Sequence, residues 1–594
     1  MFRGYTLLRG SPLLRATGAG AALLAAVRAA AHTRVDDRGH LLYLSQHPTI
    51  LPALHQERTL FEFMQRRIAA APADRPAAVQ AETGEQYTYG ELAAATEHVA
   101  EVLYHEAGVR RGDGVCIAVE NCIHFGPLVY GTLRLGAVVS TLNSFADVDT
   151  MYHYFRESRA KVVLGTHAQQ AVLEAAAARS LRADSQKVRV LYPREFLRHR
   201  DARRPIPADY DGLAGAAPDD TIFVPFSSGT TGLPKGVQLT NRSLTANILQ
   251  SAAAWQLTPQ DVSITVLPLY HIYGFTTCLN LLFASHALQV VMASYSLDVY
   301  MTSIARYRAT VNNIAPPIAV SLLKNLHAYR HLDLSSLRVL RCGAAPMTTE
   351  TERLLEERLP GCAFAQTYGT TETSPIITCG ARDAAGKTYG SSGGTVPDTE
   401  VRIVRVDDSQ QSGEDRSAGI DVPKGAEGEI WVRGPQLMKG YLKEEDTAKC
   451  MQDGWYRTGD IGKFDLETGD LVITDRLKEL IKYKGFQVSP AALEGVLLDH
   501  PWVQDCIVVG VADPRDVSFE VPRALVVLSP DLPTEDAVGA SDHILHFTMK
   551  RLAPNSRLHG GVRVVKEIPK TASGKLLRRV ARQREVAYLK SITA

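Results

Sequence analysis

Apolar and polar positions follow two periods along most of the chain. After Tyr87 the period is helical: Leu92, Ala95, Val99, Val102 and Leu103 share one face at spacings of one to four. The string GVRRGDG (108–114) reads as a turn, and the apolar run VCIAVEN (115–121) predicts a buried strand. An apolar helix reaching Leu135 and a second strand, AVVSTLN (137–143), complete a strand–helix–strand unit. Such units predict a parallel sheet with right-handed crossovers. Further buried strands are expected at 161–164, 221–226, 263–269, 310–315 and 337–340, and a helix at 241–254. Residues 36–60 read as a connecting segment. Residues 180–218, rich in Arg, Pro, Asp and Ala with weak periodicity, read as a surface connection.

Beyond Gly390 the pattern shifts to short alternating runs broken by glycine, VRIVRV (401–406) and GEIWVRG (428–434), which predict a small barrel or distorted sheet. The polar stretch 407–427 between them reads as a long hairpin insertion. After the strand GDLVITD (469–475) the pattern starts over: a helix near 490–498, strands at 506–511 and 523–528, and a helix at 542–552. That is enough chain for a small α+β domain. The predicted fold is α/β. A large N-terminal domain holds two parallel-sheet subdomains and a small barrel-like one, and a mobile α+β lid follows. The expected boundaries are 1–45, an extension; 46–475, the large domain; and 476–594, the lid.

Composition narrows the function classes. With 594 residues, 45% apolar content, 22% charged content and a formal net charge of +1, no global field points to nucleic acid or a membrane surface. The eight cysteines are scattered without a CxxC pair, which fits a reducing compartment and no structural zinc. No apolar run reaches the roughly 20 residues of a membrane helix. Residues 1–35 differ from the rest: Arg3, Arg9, Arg15, Arg28 and Arg34 occur before the first acid, Asp36. An acid-free, Arg-spaced, helix-prone start predicts a mitochondrial presequence. A secretory signal around 21–27, a disordered tail and a cytoplasmic protein are the alternatives. The ending Ser-Ile-Thr-Ala is not the Ser-Lys-Leu peroxisomal signal.

Candidate chemistry concentrates in seven strings. The strand-like TIFVPF (221–226) delivers SSGTTGLPKG (227–236), with three glycines, four hydroxyls, one proline and one lysine. Glycines let backbone N–H groups turn toward a ligand, and hydroxyls and lysine add donors and charge, so this string reads as a phosphate cradle. It is not a Walker A loop, because Pro234 precedes Lys235 and Gly236 follows it. YHIYG (270–274) sits at a strand end, where α/β proteins place ligands. CGAAP (342–346) is small enough for a flat ring to lie against backbone. AFAQTYGTTE (363–372) puts an aromatic, a glycine, two hydroxyls and a carboxylate within five residues. GWYRTGD (454–460) offers one carboxylate at a turn. DRLKELIKYKGFQV (475–488) and IPKTASGKLLRR (568–579) place lysines near the expected domain joint and near the C-terminal end.

In order and wording these strings closely resemble those of the adenylate-forming superfamily: acyl-CoA synthetases, 4-coumarate–CoA ligases, beetle luciferases and peptide-synthetase adenylation domains. The resemblance spans roughly residues 60–585. It implies that Ser227, Ser228, Gly229, Thr230, Thr231, Gly232 and Lys235 bind ATP phosphates. Gly343, Ala344, Ala345 and Pro346 would wall the adenine together with Gln366, Tyr368 and Gly369. Thr371 would bond a phosphate oxygen, and Glu372 would hold Mg2+, a hard cation that takes oxygen ligands beside phosphates. His271 would gate the carboxylate pocket. Asp460 would accept the ribose hydroxyls, and Arg476 would touch ribose and phosphate. Lys478 would be the hinge. Lys482, Lys484, Gly485 and Gln487 would enter for the thioester step, and Lys575 would serve adenylation.

The implied reaction is ATP-dependent joining of a carboxylic acid to coenzyme A, through an acyl adenylate, with ATP, Mg2+, CoA and a small organic acid as partners. Walls near 271–275, 315–317 and 373–377 would suit an aromatic or a medium- to long-chain fatty acid. A stand-alone module loading a carrier protein is a second reading. The sequence ends 19 residues after Lys575, so any carrier would be a separate chain. A luciferase-type oxygenase is a third reading. A non-catalytic binding protein would be expected to lack Lys575 or Glu372, and both are present.

Overall fold

The computed structural model describes residues 33–197, 204–227, 234–380, 388–406, 419–477, 479–483, 486–513, 516–530, 532, 538–570 and 576–593, with Lys482 and Gln487 described by backbone alone. Three sheets with parallel strands build the large N-terminal part. In the first, Gly114–Ala118 runs parallel to Val138–Thr141 and Ala160–Gly165. Thr221–Phe223 joins its edge, and Lys235–Thr240 pairs antiparallel to that strand. In the second, Val262–Thr265, Leu288–Val291 and Pro76–Gln80 are parallel. In the third, Val311–Ile314, Val339–Cys342 and Ala363–Gly369 are parallel, and Ile376–Cys379 closes it antiparallel.

Helices cover these sheets as the periodicity requires. Tyr89–His105 starts at a reciprocal cap in which Thr88 and Glu91 satisfy each other's backbone N–H groups, and it buries Leu92, Ala95, Val99, Val102 and Leu103. Asn241–Trp255 likewise begins at a Thr240–Ser243 cap.

Two expected connections are ordered elements instead. Within 36–60, Leu41–Leu44 is a strand paired with both Thr33–Val35 and Glu400–Val404. Within 180–218, Arg189–Leu191 extends the first parallel sheet beside Ala160–Gly165. Both strands are short, so neither spans enough residues to show a period. The expected barrel or distorted sheet is an antiparallel one, joining the N-terminal hairpin to Glu400–Val404, Gly428–Arg433, Trp455–Phe464 and Leu471–Arg476.

The C-terminal unit pairs Val503–Asp513 with Asp516–Leu528 and adds Val562–Val564 in parallel. Helices Pro490–Leu498, Ala540–Met549 and Arg578–Thr593 accompany this sheet. It has its own core, in which Leu493, Leu497, Ile507, Val508, Val526 and Ile544 are buried together. Among the described residues no helix is long and apolar enough to cross a membrane.

Candidate active site

The site is built where the parallel strands end. Val339–Cys342 runs into the 343–346 loop, where Ala344 takes φ +79°. That loop is braced from below. The Gln366 amide oxygen accepts from the Met347 N–H at 2.9 Å, and its Nε2 donates to the Met347 carbonyl at 3.1 Å and to Glu352 at 2.9 Å. Gln366, expected to touch the nucleotide, thus spends its side chain holding the loop's shape. On the other side, a Cβ on Gly343 would stand 2.9 Å from the Tyr273 ring, so glycine is what admits that ring. Tyr273 follows His271, whose Nδ1 accepts from the Tyr273 N–H at 3.3 Å. The Thr141 hydroxyl ties this turn to the first sheet by donating to the Tyr270 carbonyl at 2.6 Å. A π-helical turn, Gly274–Asn280, then carries the chain inward.

Ala363–Gly369 delivers the second wall. Gly369 passes Pro375 so closely that a Cβ would fall 1.9 Å from its carbonyl oxygen. The tight turn Thr371–Thr373, capped by Thr370, places Glu372 inside. Glu372 is 7% exposed, and its Oε1 accepts from the Tyr441 hydroxyl at 2.6 Å. Burial and this carboxylate push the Tyr441 phenol far above its usual range, so it stays a donor.

Tyr441 is the joint of the site. The Lys235 ammonium stands 5.4 Å from its ring centroid and 2.8 Å from Asp446 Oδ1. The hydrogen bond from Lys235 holds the Asp446 carboxyl below its ordinary range. Lys235 is itself fixed at the foot of the phosphate string, opposite Ser227 in an antiparallel pair. One aromatic side chain therefore connects the phosphate string to Glu372.

Tyr368 makes the corresponding link to Asp460. Its hydroxyl donates to Asp460 Oδ2 at 2.8 Å, while Arg476 Nε lies 2.8 Å from Oδ1. Strand pairing puts Asp460 directly opposite Arg476, and Asp460 is 3% exposed. The Asp460 charge raises the Arg476 pKa further, and burial with the same carboxylate raises the Tyr368 phenol. Tyr368 thus meets Asp460 through its hydroxyl.

Among the remaining expected residues, Ser228, Gly229, Thr230, Thr231, Gly232, Lys478, Lys484, Gly485 and Lys575 lie outside the described residues. Lys482 and Gln487 face each other across the hairpin formed by Ile481–Tyr483 and Phe486–Val488. Both feet of the Lys575 string are fixed: Lys570 bridges Leu576, and the Leu577 N–H reaches the Pro569 carbonyl at 2.9 Å. Two functional neighbours escaped the sequence reading, Tyr441 and Asp446. LMKGYL and KEED look like an ordinary strand end and a solvated charge run; only their position after the phosphate string in space gives them meaning.

Among the described residues no group of three or more His, Cys, Asp or Glu forms a ready metal cage. The single buried carboxylate of Glu372 nevertheless suits Mg2+, which takes one or two protein carboxylates and completes its shell with phosphates and water.

Residues 64–442 match the family described as AMP-binding enzyme, and residues 492–575 match the AMP-binding enzyme C-terminal domain. A 4-coumarate–CoA ligase 2 of Oryza sativa subsp. japonica is 34% identical over 561 residues, covering 89% of this chain and 92% of its own. A 4-coumarate–CoA ligase 3 of Arabidopsis thaliana is 35% identical over 522 residues, covering 85% and 88%. The fold is shared with ATP-bound MatB from Rhodopseudomonas palustris, at TM-score 0.76 and 26% identity, over 89% of this chain and 99% of that one. It is also shared with the o-succinylbenzoate CoA synthetase of Bacillus subtilis in complex with its acyl-adenylate intermediate, at TM-score 0.72 and 26% identity, over 88% and 97%.

Proposed function

We propose, from the premise that this chain belongs to the AMP-binding enzyme family and is an ATP-dependent, AMP-forming acid–CoA ligase, that its substrate is an aromatic carboxylic acid of the 4-coumarate kind. The relatives at 34% and 35% identity support this class, since both are 4-coumarate–CoA ligases. Residue roles follow from what each side chain can do. A carboxylate oxygen attacks the α-phosphorus of ATP, the bond to the β-phosphate breaks, and pyrophosphate leaves. Two anions must approach, so cations and N–H donors aimed at the phosphoryl oxygens lower the barrier. Lys235 and the 227–232 backbone hold the phosphates, and Lys575 meets the attacking carboxylate. Thr371 bonds a phosphate oxygen, and Glu372 is the residue that would hold Mg2+, whose chemistry is to neutralise charge between the phosphates. Asp460 and Arg476 fix the ribose, and Tyr368 with the 343–346 loop fixes the base. His271 borders the acid.

In the second step the CoA sulfur attacks the acyl carbon and AMP leaves. Rotation at Lys478 would remove Lys575 and bring in the 482–487 hairpin. The observation that carries this reading is Tyr441, which touches Glu372 and Lys235 and so gathers the Mg2+ carboxylate and the phosphate string into one pocket. The Arg-spaced, acid-free residues 1–35 support delivery to mitochondria, which a fluorescent fusion with and without residues 1–32 tests.

Pyrophosphate release should be measured across aromatic and aliphatic acids, with and without CoA. The expected result is release with cinnamate-type acids and CoA-dependent thioester formation. Release that CoA never converts to thioester would favour a carrier-protein acceptor, and turnover restricted to aliphatic acids would overturn the aromatic class. Lys575→Ala should abolish adenylation yet spare thioester formation from supplied acyl adenylate, and Lys482→Ala should do the reverse.

A further inference from the structure

The phosphate string is gripped at both feet by a side chain from an element with no assigned role. Helix Val148–Glu157, capped by Asp147, carries Met151, Tyr154 and Phe155 into the core and buries His153 with them at 6% exposure. His153 Nε2 lies 2.8 Å from the Pro234 carbonyl oxygen. A carbonyl only accepts, so Nε2 carries the proton and donates. The other nitrogen, Nδ1, is buried with no hydrogen-bond partner among the described residues. The same ring stands edge-on to Phe226, with centroids 6.1 Å apart, and Tyr154 packs on Phe226 at 4.6 Å. Phe226 and Ser227 form one foot of the string; Pro234 and Lys235 form the other, paired as Ser227 with Lys235 and Phe226 with Gly236. His153 therefore touches both feet, directly before Lys235.

We infer that His153 is a positioning residue for adenylation: its Nε2–H bond to Pro234 and its ring against Phe226 set the spacing of the two feet, and so the aim of Lys235. The inference rests on reading 227–236 as the ATP phosphate cradle. A hydrogen bond of this kind is neutral and buried, and its loss leaves the Pro234 carbonyl without this donor. The effect should be confined to the step that handles the β- and γ-phosphates. An acyl adenylate carries one phosphate, so the thioester step has no use for the cradle's full geometry.

The test uses the full chain. His153→Phe keeps the ring and removes the donor; His153→Gln keeps an N–H donor on a side chain of similar reach. Acid-dependent ATP–pyrophosphate exchange and thioester formation from supplied acyl adenylate are measured separately. His153→Phe should lower kcat/KM for ATP in exchange by roughly tenfold, leave the thioester step within about twofold, and be rescued at least partly in His153→Gln. Equal losses in both steps, or a Gln variant as impaired as Phe, would overturn the inference in favour of a general packing role. If His153→Phe fails to fold, an unimpaired exchange rate in His153→Gln still supports the donor and an impaired one refutes it. Lys235→Ala separates this inference from its premise: exchange lost in Lys235→Ala but intact in His153→Phe sinks the His153 role alone, whereas exchange intact in both sinks the cradle.

Discussion

Asp475 stands three residues before the expected hinge, Lys478, and offers a sharp test of the electrostatics there. It is 6% exposed, its Oδ1 accepts from the Arg476 N–H at 2.6 Å, and its Oδ2 is buried without a hydrogen-bond partner among the described residues. Burial lifts its pKa from 3.8 to about 6; Ser489, the Arg476 N–H and Arg578 pull the other way, and Glu479 adds to the rise. Arg578 offsets little because it is paired with Glu479 at 2.8 Å and with Glu494. A carboxyl whose native pKa exceeds its unfolded value binds more protons folded than unfolded between those two values. Its contribution to stability therefore falls as pH rises from about 4 to about 6, and the full penalty persists at pH 7. At 1.36 kcal/mol per pH unit, two units amount to about 3 kcal/mol. Asp475→Asn removes that penalty but leaves an amide N–H where Oδ2 was, costing about 1–2 kcal/mol. The variant should thus be the more stable protein at pH 7.5 by about 1–2 kcal/mol and the less stable one near pH 4.5. Hydrogen exchange of Leu471–Arg476 and Pro490–Leu498 reads this locally, which matters because a protein of this size need not unfold in one step. A difference between variant and wild type that does not change with pH, or one that grows toward acid in the variant's favour, would refute the reasoning.

Two further outcomes follow from packing. Gly369→Ala forces a Cβ to within 1.9 Å of the Pro375 carbonyl oxygen, a backbone atom that cannot step aside. The expected cost is about 3 kcal/mol or more together with loss of ATP–pyrophosphate exchange, and a melting temperature within 2 °C of wild type (about 1 kcal/mol or less) would contradict the close approach. Deleting residues 1–32 should leave melting and turnover unchanged. Deletion through residue 45 removes fully buried Leu42, the Tyr43 ring stacked 4.0 Å from Phe464, and the Arg34–Glu400 pair. That longer deletion should lower thermal stability by several degrees on a melting scan, and equal melting of the two truncations would show the hairpin to be dispensable.

What was legible in the sequence was whatever the chain states locally. Long apolar runs such as 115–121, and helices of more than four turns such as Tyr89–His105, announce themselves by period. The strings around Lys235, Glu372 and Asp460 combine residue types that bind phosphates, metal and ribose, and the structure links them through Tyr441 and Tyr368. What was not legible depends on contacts between residues far apart in the chain. Leu41–Leu44 is a strand because Glu400–Val404, more than 350 residues away, supplies its partner. Asp446 matters because folding brings it to Lys235 across 211 positions. His153 sits in MYHYFRES, an aromatic run whose plain reading is core packing; its bond to Pro234 is a fact of tertiary structure alone.

Among the described residues Lys235, Glu372 and Asp460 each already have a polar partner. Lys235 has Asp446, Glu372 has Tyr441, and Asp460 has both Tyr368 and Arg476. A buried carboxylate or ammonium left alone would carry a cost of several kcal/mol, enough to threaten the fold. The site is therefore stable when it holds internal partners, and ATP must win those partners over rather than fill a void. The exchange is favourable only if a polyanion arrives with its own cation: phosphates can take Lys235 from Asp446, and Glu372 is the carboxylate that would hold the accompanying Mg2+. ATP without Mg2+ would displace Asp446 from Lys235 and bring new negative charge toward Glu372. On these grounds the nucleotide and Mg2+ should bind as one unit, so that the apparent affinity for either rises with the concentration of the other. Glu372→Gln should abolish that mutual dependence and not merely weaken it.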